Sequence, residues 1–250
     1  MKVNILASGS SGNCIAISSG ESTILIDCGI AKTKIEKRLL EVGITPNNVL
    51  AIFITHAHKD HCKGLPLANK YHIPVYAGEQ EWKDIQGVDE ELRHEIGIGG
   101  LFGIPDNFIV THFEVHHDAH QPLGYAIVDT DTGMKCSICL DTGKVDQEML
   151  QVMKDSNIYI IESNHAENMV EASDYPNSVK ARVVSDIGHL NNHQTANALS
   201  ALIQGKGEQI YLTHLSSNNN MPFLAEGVTE ATLLKRGFKR DKHYKLEVIT

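Results

Sequence analysis

The sequence predicts an α/β fold in which helices cover two β-sheets. Three observations predict it. Short apolar runs alternate with helix-patterned segments along the whole chain. Polar donor residues recur directly after several of those runs, where α/β proteins present functional side chains. The 250 residues are 42% hydrophobic and 21% charged, which suits a soluble protein with a substantial core and excludes disordered and fibrous classes. No linker, low-complexity tract or short-period repeat interrupts the chain, so residues 1–250 are read as one domain.

Taken in order, residues 3–7 and 14–18 read as strands. Between them lies the turn-rich Ser8-Gly9-Ser10-Ser11-Gly12-Asn13, either a tight hairpin or a loop offering backbone N–H groups to a phosphate. Residues 22–27 form a third strand, and 31–42 have helical spacing with charges on one face. The near-continuous apolar run 49–55 is a buried strand, followed by a helix from about 60 to 70, a short strand at 74–77 and a charged helix near 79–86. The second half repeats the pattern. Strands are expected at 108–115, 124–128, 135–140, 157–162, 209–213 and 245–249, with helices near 144–154, 176–183, 192–204 and 222–236.

Several classes are excluded by composition. No apolar run approaches the roughly 20 residues that span a bilayer. The N-terminal stretch reads as a first strand, not a signal peptide, so the cytoplasm is the expected compartment. The five cysteines are an odd, sparse set best kept reduced. Cys136 and Cys139 have C-x-x-C spacing but lie in a strand pattern, where residues three apart face opposite ways; Cys62 reads as a small buried residue at a helix start. A net charge of −9 argues against broad adhesion to nucleic acid, yet bound divalent cations would reverse the field locally for a phosphate substrate.

The 14 histidines are clustered. In Thr55-His56-Ala57-His58-Lys59-Asp60-His61 a buried strand ends and a helix begins. His56 and His58, two apart, point the same way in an extended segment, while Asp60 and His61 enter the helix's first turn. Imidazole and carboxylate together suit Zn²⁺, Mn²⁺ or Fe²⁺. Three later segments place donors directly after an apolar strand in the same way: His116-His117-Asp118-Ala119-His120, Asp141-Thr142-Gly143 and His214.

The order H-x-H-x-D-H, His upstream of Gly-Tyr, Asp-Thr-Gly and Thr-His-Leu-Ser resembles the metallo-β-lactamase superfamily. That resemblance implies a four-layer αββα sandwich with a binuclear site. It assigns His56, His58 and His117 to one metal, and Asp60, His61 and His214 to the other, with Asp141 bridging and Asp27 in support. Within 116–120 the spacing to Gly124 favours His117, and Asp118 is the next alternative. The implied cofactors are two divalent ions, Zn²⁺ or Mn²⁺.

Further stretches are similar to the WalJ/YycJ group of that superfamily: Ser8 to Asn13, His117-Asp118-Ala119 through Gly124-Tyr125, Glu162-Ser163-Asn164-His165, Gly188-His189-Leu190-Asn191-Asn192 and Thr213-His214-Leu215-Ser216. This likeness implies a 5′-to-3′ exonuclease whose partner is DNA. The second half also resembles RNase Z and RNase J, in which a Glu and a His accompany the metals; Glu162 and His189 fall at comparable places. The leaving 3′-oxygen of a phosphodiester needs a proton, which a His steadied by a carboxylate can supply. Asp60, His189 and Glu162 are therefore the candidate catalytic residues. The alternative for His189 is a cap for the helix near Asn192.

The chain departs from these relatives in informative ways. Only 73 positions separate Asp141 from His214, too few for the inserted domain of RNase J, and no Gly- and Pro-rich arm like that of RNase Z is apparent. Asp141 stands where true lactamases carry Cys, which disfavours a β-lactamase. Lys180 and Arg182 read as solvated charges, with phosphate contact as the alternative; Asn218-Asn219-Asn220 read as a cap for a helix near Met221. A small-molecule hydrolase, such as a cyclic phosphodiesterase or lactonase, is the competing function. The Glu162/His189 pair favours phosphodiester chemistry, and the complete donor set disfavours a non-enzymatic metal-binding regulator.

Overall fold

In the computed structural model, which describes residues 1–97, 100–104 and 107–250, the chain divides into two compact units. The first comprises residues 1–112, 119–123 and 127–134. It opens with three antiparallel strands, β1 (Lys2–Ala7), β2 (Cys14–Ser19) and β3 (Ser22–Ile26). The two-residue turn Gly20-Glu21 joins β2 to β3, and Gly20 at φ +57° supplies the left-handed conformation that such a turn needs. Helix α1 (Lys32–Glu41) then buries Ile35 and Leu39, four residues apart and so on one face. Strand β4 (Val49–Phe53) pairs parallel with β3. Beyond it come the short helices α2 (Lys59–Cys62) and α3 (Pro66–Tyr71) and the parallel strands β5 (Val75–Gly78) and β6 (Arg93–Ile96). The sheet order is β1-β2-β3-β4-β5-β6. Leu25, Ile52, Ile54 and Val75 of the strand segments pack with Ile35, Leu39, Leu65 and Leu67, each such side chain contributing about 1.5–3 kcal/mol when fully buried.

Two expectations change here. The single helix at 60–70 is two helices. Gly64 lies between them, where a Cβ would come within 2.3 Å of the Ile30 carbonyl, and Pro66 starts α3 because it has no N–H to lose there. The charged segment 79–86 is only a short 3₁₀ turn, Glu79–Lys83.

β7 (Leu101–Ile104) pairs antiparallel with β8 (Phe108–Glu114), and β9 (Leu123–Asp129) follows. The second unit comprises 113–118, 124–126 and 135–250. Strands β10 (Lys135–Cys139) and β11 (Ile158–Glu162) flank helix α4 (Gln147–Met153). Helices α5 (Glu167–Ala172), α6 (Asn177–Val183) and α7 (Asn192–Leu202) lead to β12 (Glu208–Thr213), α8 (Pro222–Lys235) and β13 (Tyr244–Val248). β10 to β13 are parallel neighbours, and the sheet order is β13-β12-β11-β10-β9-β8-β7. Ala198, Leu199 and Leu202 of α7 pack with Met149, Met153, Leu212 and Leu233. Two sheets with helices are thus present as expected; β6, β7 and α5 were not anticipated. Among the described residues no helix is long and apolar enough to cross a membrane.

Candidate metal centre

The first donor set sits on the loop leaving β4. Strands β3 and β4 run parallel with Ile26 opposite Phe53, so Asp27 and Thr55 emerge side by side. The buried Asp27 carboxylate accepts the Thr55 backbone N–H at 2.8 Å, the Thr55 hydroxyl at 2.9 Å and the His61 Nδ1–H at 2.7 Å. The Thr55 Oγ1 in turn lies 3.1 Å from His56 Nδ1, placed to accept its proton. This relay favours the Nδ1–H tautomer of both rings, so that Nε2 of His56 and of His61 is the acceptor nitrogen, the one a metal would use. His56 Nε2 and His58 Nδ1 converge to 2.9 Å. Two nitrogens at ordinary Zn–N distances on a tetrahedron stand about 3.3 Å apart, so a slight opening of this pair fits a divalent ion. Asp60, its side chain 31% exposed, lies beside His61 with Oδ2 3.8 Å from Nε2.

The Ser8–Asn13 turn supports the same loop. Asn13 takes the Gly9 N–H on its side-chain oxygen, donates its backbone N–H to the Asp60 carbonyl and places Nδ2 3.1 Å from His61 Nε2. Cys62 is half-buried at the end of α2, not at a helix start, with its thiol directed to the His56 carbonyl.

The second donor set lies at the ends of three adjacent parallel strands. Registers Cys139–Ile161 and Glu162–Thr213 bring Asp141, Glu162 and His214 together, since neighbouring strands lie about 4.8 Å apart. Ligand atoms of Asp141, Glu162, His189 and His214 all fall within 4.8 Å of one another. His214 Nδ1 is 2.5 Å from Asp141 Oδ1; burial pushes the imidazole pKa down, but Asp141 and Glu162 overcome this and raise it to about 10. A metal must therefore displace a proton here.

Glu162, fully buried, is the hub of this set. One oxygen accepts the Thr142 N–H at 2.6 Å and the Leu190 N–H at 3.3 Å; the other lies 3.0 Å from His189 Nδ1 and 3.4 Å from His214 Nδ1. Burial alone would raise its pKa, yet the His189 charge and hydrogen bond hold it below the usual carboxylate value. The same pairing works on His189 in the opposite direction: burial lowers its pKa, and Glu162 more than restores it.

His117 and Asp118 are placed differently. His117 is buried and its Nδ1–H donates to the Gly188 carbonyl at 3.2 Å, while burial lowers its pKa and favours the neutral ring. Asp118 faces outward and pairs with Arg182 at 2.8 Å, its other oxygen 3.2 Å from His117 Nε2. His116 pairs with Asp146, and His120 with Asp84.

Three site residues, Asp27, Asp141 and His214, have φ of +59°, +46° and +53°, a left-handed backbone uncommon outside glycine. Asp27 and His214 directly follow a strand and Asp141 stands two residues beyond one, so the strain aims a donor out of the sheet where the chain would otherwise continue.

Other expectations are corrected. His189 does not cap α7: Asn191 does, accepting the Gln194 N–H while the Gln194 side chain accepts the Asn191 N–H. Asn219 and Asn220 do not cap α8, which begins at Pro222 without a side-chain cap. Asn220 is buried and donates to the Ser163 carbonyl and to Asn192 Oδ1 instead. Lys180 donates to the Glu171 carbonyl. Sequence reasoning missed the parts played by Asn13 and Thr55. Thr55 carried a signal, since it starts the histidine run.

Compared with known proteins, residues 22–215 match the β-lactamase superfamily domain. The chain is 36% identical to exodeoxyribonuclease YycJ of Bacillus anthracis, covering 94% of this chain and 90% of the relative. It is 35% identical to exodeoxyribonuclease WalJ of Streptococcus pneumoniae, covering 90% and 85%. Among solved structures, the metallo-β-lactamase fold protein YhfI of Bacillus subtilis superposes with a TM-score of 0.74 over 99% of this chain and 95% of that one, at 15% identity, a likeness of fold.

Proposed function

The chain belongs to the metallo-β-lactamase superfamily of metal-dependent hydrolases, and from that membership we propose that it is a binuclear phosphodiesterase degrading DNA in the 5′-to-3′ direction. The observation that carries this reading is the near full-length likeness to two exodeoxyribonucleases. The Glu162–His189 pair supports it chemically.

In this reading His56, His58 and His117 would hold one divalent ion, Asp60, His61 and His214 would hold the second, and Asp141 would serve both; Zn²⁺ and Mn²⁺ both suit such donors. When bound, the ions supply the Lewis acidity that activates water and takes up charge on the phosphodiester oxygens. Asp60 orients the attacking water. Asp27 and Thr55 keep His56 and His61 in the metal-binding tautomer. Glu162 holds Nδ1 of His189, so the opposite nitrogen, Nε2, is presented to the scissile bond. His189, whose pKa burial lowers but Glu162 raises above the ordinary imidazole value, gives its proton to the departing 3′-oxygen. We place the enzyme in the cytoplasm, where its cysteines remain thiols.

The test is a comparison of protein reconstituted with Mn²⁺ or Zn²⁺ on duplex DNA, single-stranded DNA, RNA and bis-p-nitrophenyl phosphate. Progressive release of mononucleotides from DNA supports the proposal. Cleavage of the small diester alone would replace it with a small-molecule phosphodiesterase.

A further inference from the structure

We propose that Glu81 is a positioning residue for the metal centre, holding the peptide between His56 and His58 in the orientation that makes both imidazoles converge. The inference rests on the metal-binding reading of those histidines. Glu81 is 1% exposed, and the phosphodiesterase mechanism does not use it. Its Oε2 accepts the Ala57 backbone N–H at 2.6 Å, and its Oε1 accepts the Gln121 N–H at 2.5 Å.

Ala57 is the residue between the two histidines, so fixing its N–H fixes the plane of the His56–Ala57 peptide. The directions of both flanking side chains follow from that plane. His56 and His58 then bring Nε2 and Nδ1 to 2.9 Å. From the other side, Thr55 and Asp27 set the rotation of the His56 ring. Peptide plane and ring rotation are thus held by two separate carboxylates, Glu81 and Asp27.

The second oxygen of Glu81 ties this loop to the segment 119–123, which follows His117 in the chain. That segment is fastened around the same point. The Gln121 side chain accepts the Gln80 N–H at 3.2 Å and donates to the Ile96 carbonyl at 3.3 Å, and the Leu123 N–H reaches the Thr55 carbonyl at 2.8 Å. A buried carboxylate is costly in itself, and an apolar side chain of similar size would fill the space more cheaply. What the carboxylate alone supplies is two strong acceptors for two backbone donors from different loops.

Glu208 provides a matched control. It is 5% exposed and its carboxylate also accepts two backbone N–H groups, from Gln204 at 2.7 Å and Lys206 at 2.8 Å. It stands at the start of β12, about 20 Å along the strand from His214. The experiment is calorimetric titration of metal-free full-length protein with Mn²⁺ and with Zn²⁺, alongside thermal melting, for wild type, Glu81→Gln, Glu81→Asp and Glu208→Gln. Glu81→Gln keeps one acceptor and turns a donor amide toward the other N–H, so it weakens metal binding by about 10–100-fold. Glu81→Asp keeps the charge but cannot span both loops, and loses less. Glu208→Gln lowers the melting temperature comparably and leaves metal affinity unchanged.

Wild-type affinity in both folded Glu81 variants would overturn the proposal, as would an equal loss of affinity in Glu208→Gln. If Glu81→Gln does not fold, Glu81→Asp alone decides between these outcomes. A wild-type protein that takes up neither ion would instead overturn the metal-centre reading, and with it the role assigned to Glu81.

Discussion

Replacing His189 with alanine removes the group assigned to protonate the leaving 3′-oxygen, and its surroundings set the size of the effect. General acids contribute about 10²–10⁴ in rate, or roughly 2.7–5.5 kcal/mol. The His189 side chain is only 13% exposed and is held 3.0 Å from a fully buried carboxylate, so water is a poor substitute. The loss on DNA is therefore expected near the upper end, about 10³–10⁴-fold. Stability should change little, by about 1 kcal/mol, because Glu162 keeps the Thr142 and Leu190 N–H groups and His214 as partners. The assay compares turnover of DNA with turnover of bis-p-nitrophenyl phosphate, whose leaving group departs as a stable anion and needs no proton. His189→Ala should slow DNA cleavage by the full factor, slow the activated diester far less, and retain wild-type metal content. Because Glu162 raises the His189 pKa above its ordinary value, the wild-type rate on DNA should fall as pH rises through that raised pKa, and this alkaline limb should vanish in the variant. Equal losses on both substrates, or normal turnover of DNA, would refute the reasoning.

Three further outcomes follow from the same geometry. Asp27→Asn removes a carboxylate that accepts from both Thr55 and His61, and should weaken Mn²⁺ binding about 10–100-fold by calorimetry. Chelation with EDTA should abolish activity and lower the melting temperature, since ions at 100 times their Kd stabilise the folded state by about 2.7 kcal/mol; Mn²⁺ should restore both, and an unchanged melt would count against a bound metal. Gly188→Ala puts a Cβ within 2.2 Å of the Arg182 carbonyl and 2.3 Å of the Val183 carbonyl, and Gly188 also carries the carbonyl that holds His117. That variant should lose both stability and activity, whereas an unaltered melt and rate would show that the turn yields easily.

Much of the site was legible because its residues repeat one placement. His56 to His61, Asp141 and His214 all stand just beyond apolar strands, and parallel strand ends gather such residues without further information. Between His117 and Asp118 only the spacing to Gly124 favoured His117; strand alternation could not separate them, since both lie past the end of β8. Their separation depends on partners far along the chain, Gly188 for one and Arg182 for the other. Glu81 and Asn13 were missed for the same reason: each acts on the histidine loop through a backbone group that no spacing in the sequence announces. Strand β6 escaped notice because Arg93, His94 and Glu95 are exposed and only Ile96 is buried, so there is no apolar run to read. The left-handed backbone at Asp27, Asp141 and His214 is likewise invisible to periodicity, although it decides where these donors point.

The central claim, a metal-dependent nuclease working inward from 5′ ends, is tested most directly by following one duplex DNA labelled at either the 5′ or the 3′ end, with Mn²⁺ and with EDTA. The account predicts that the 5′ label appears at once as mononucleotide, that the 3′ label stays in fragments shortening from the other end, and that EDTA stops both. Early release of the 3′ label as mononucleotide, or cleavage that persists in EDTA, would contradict it.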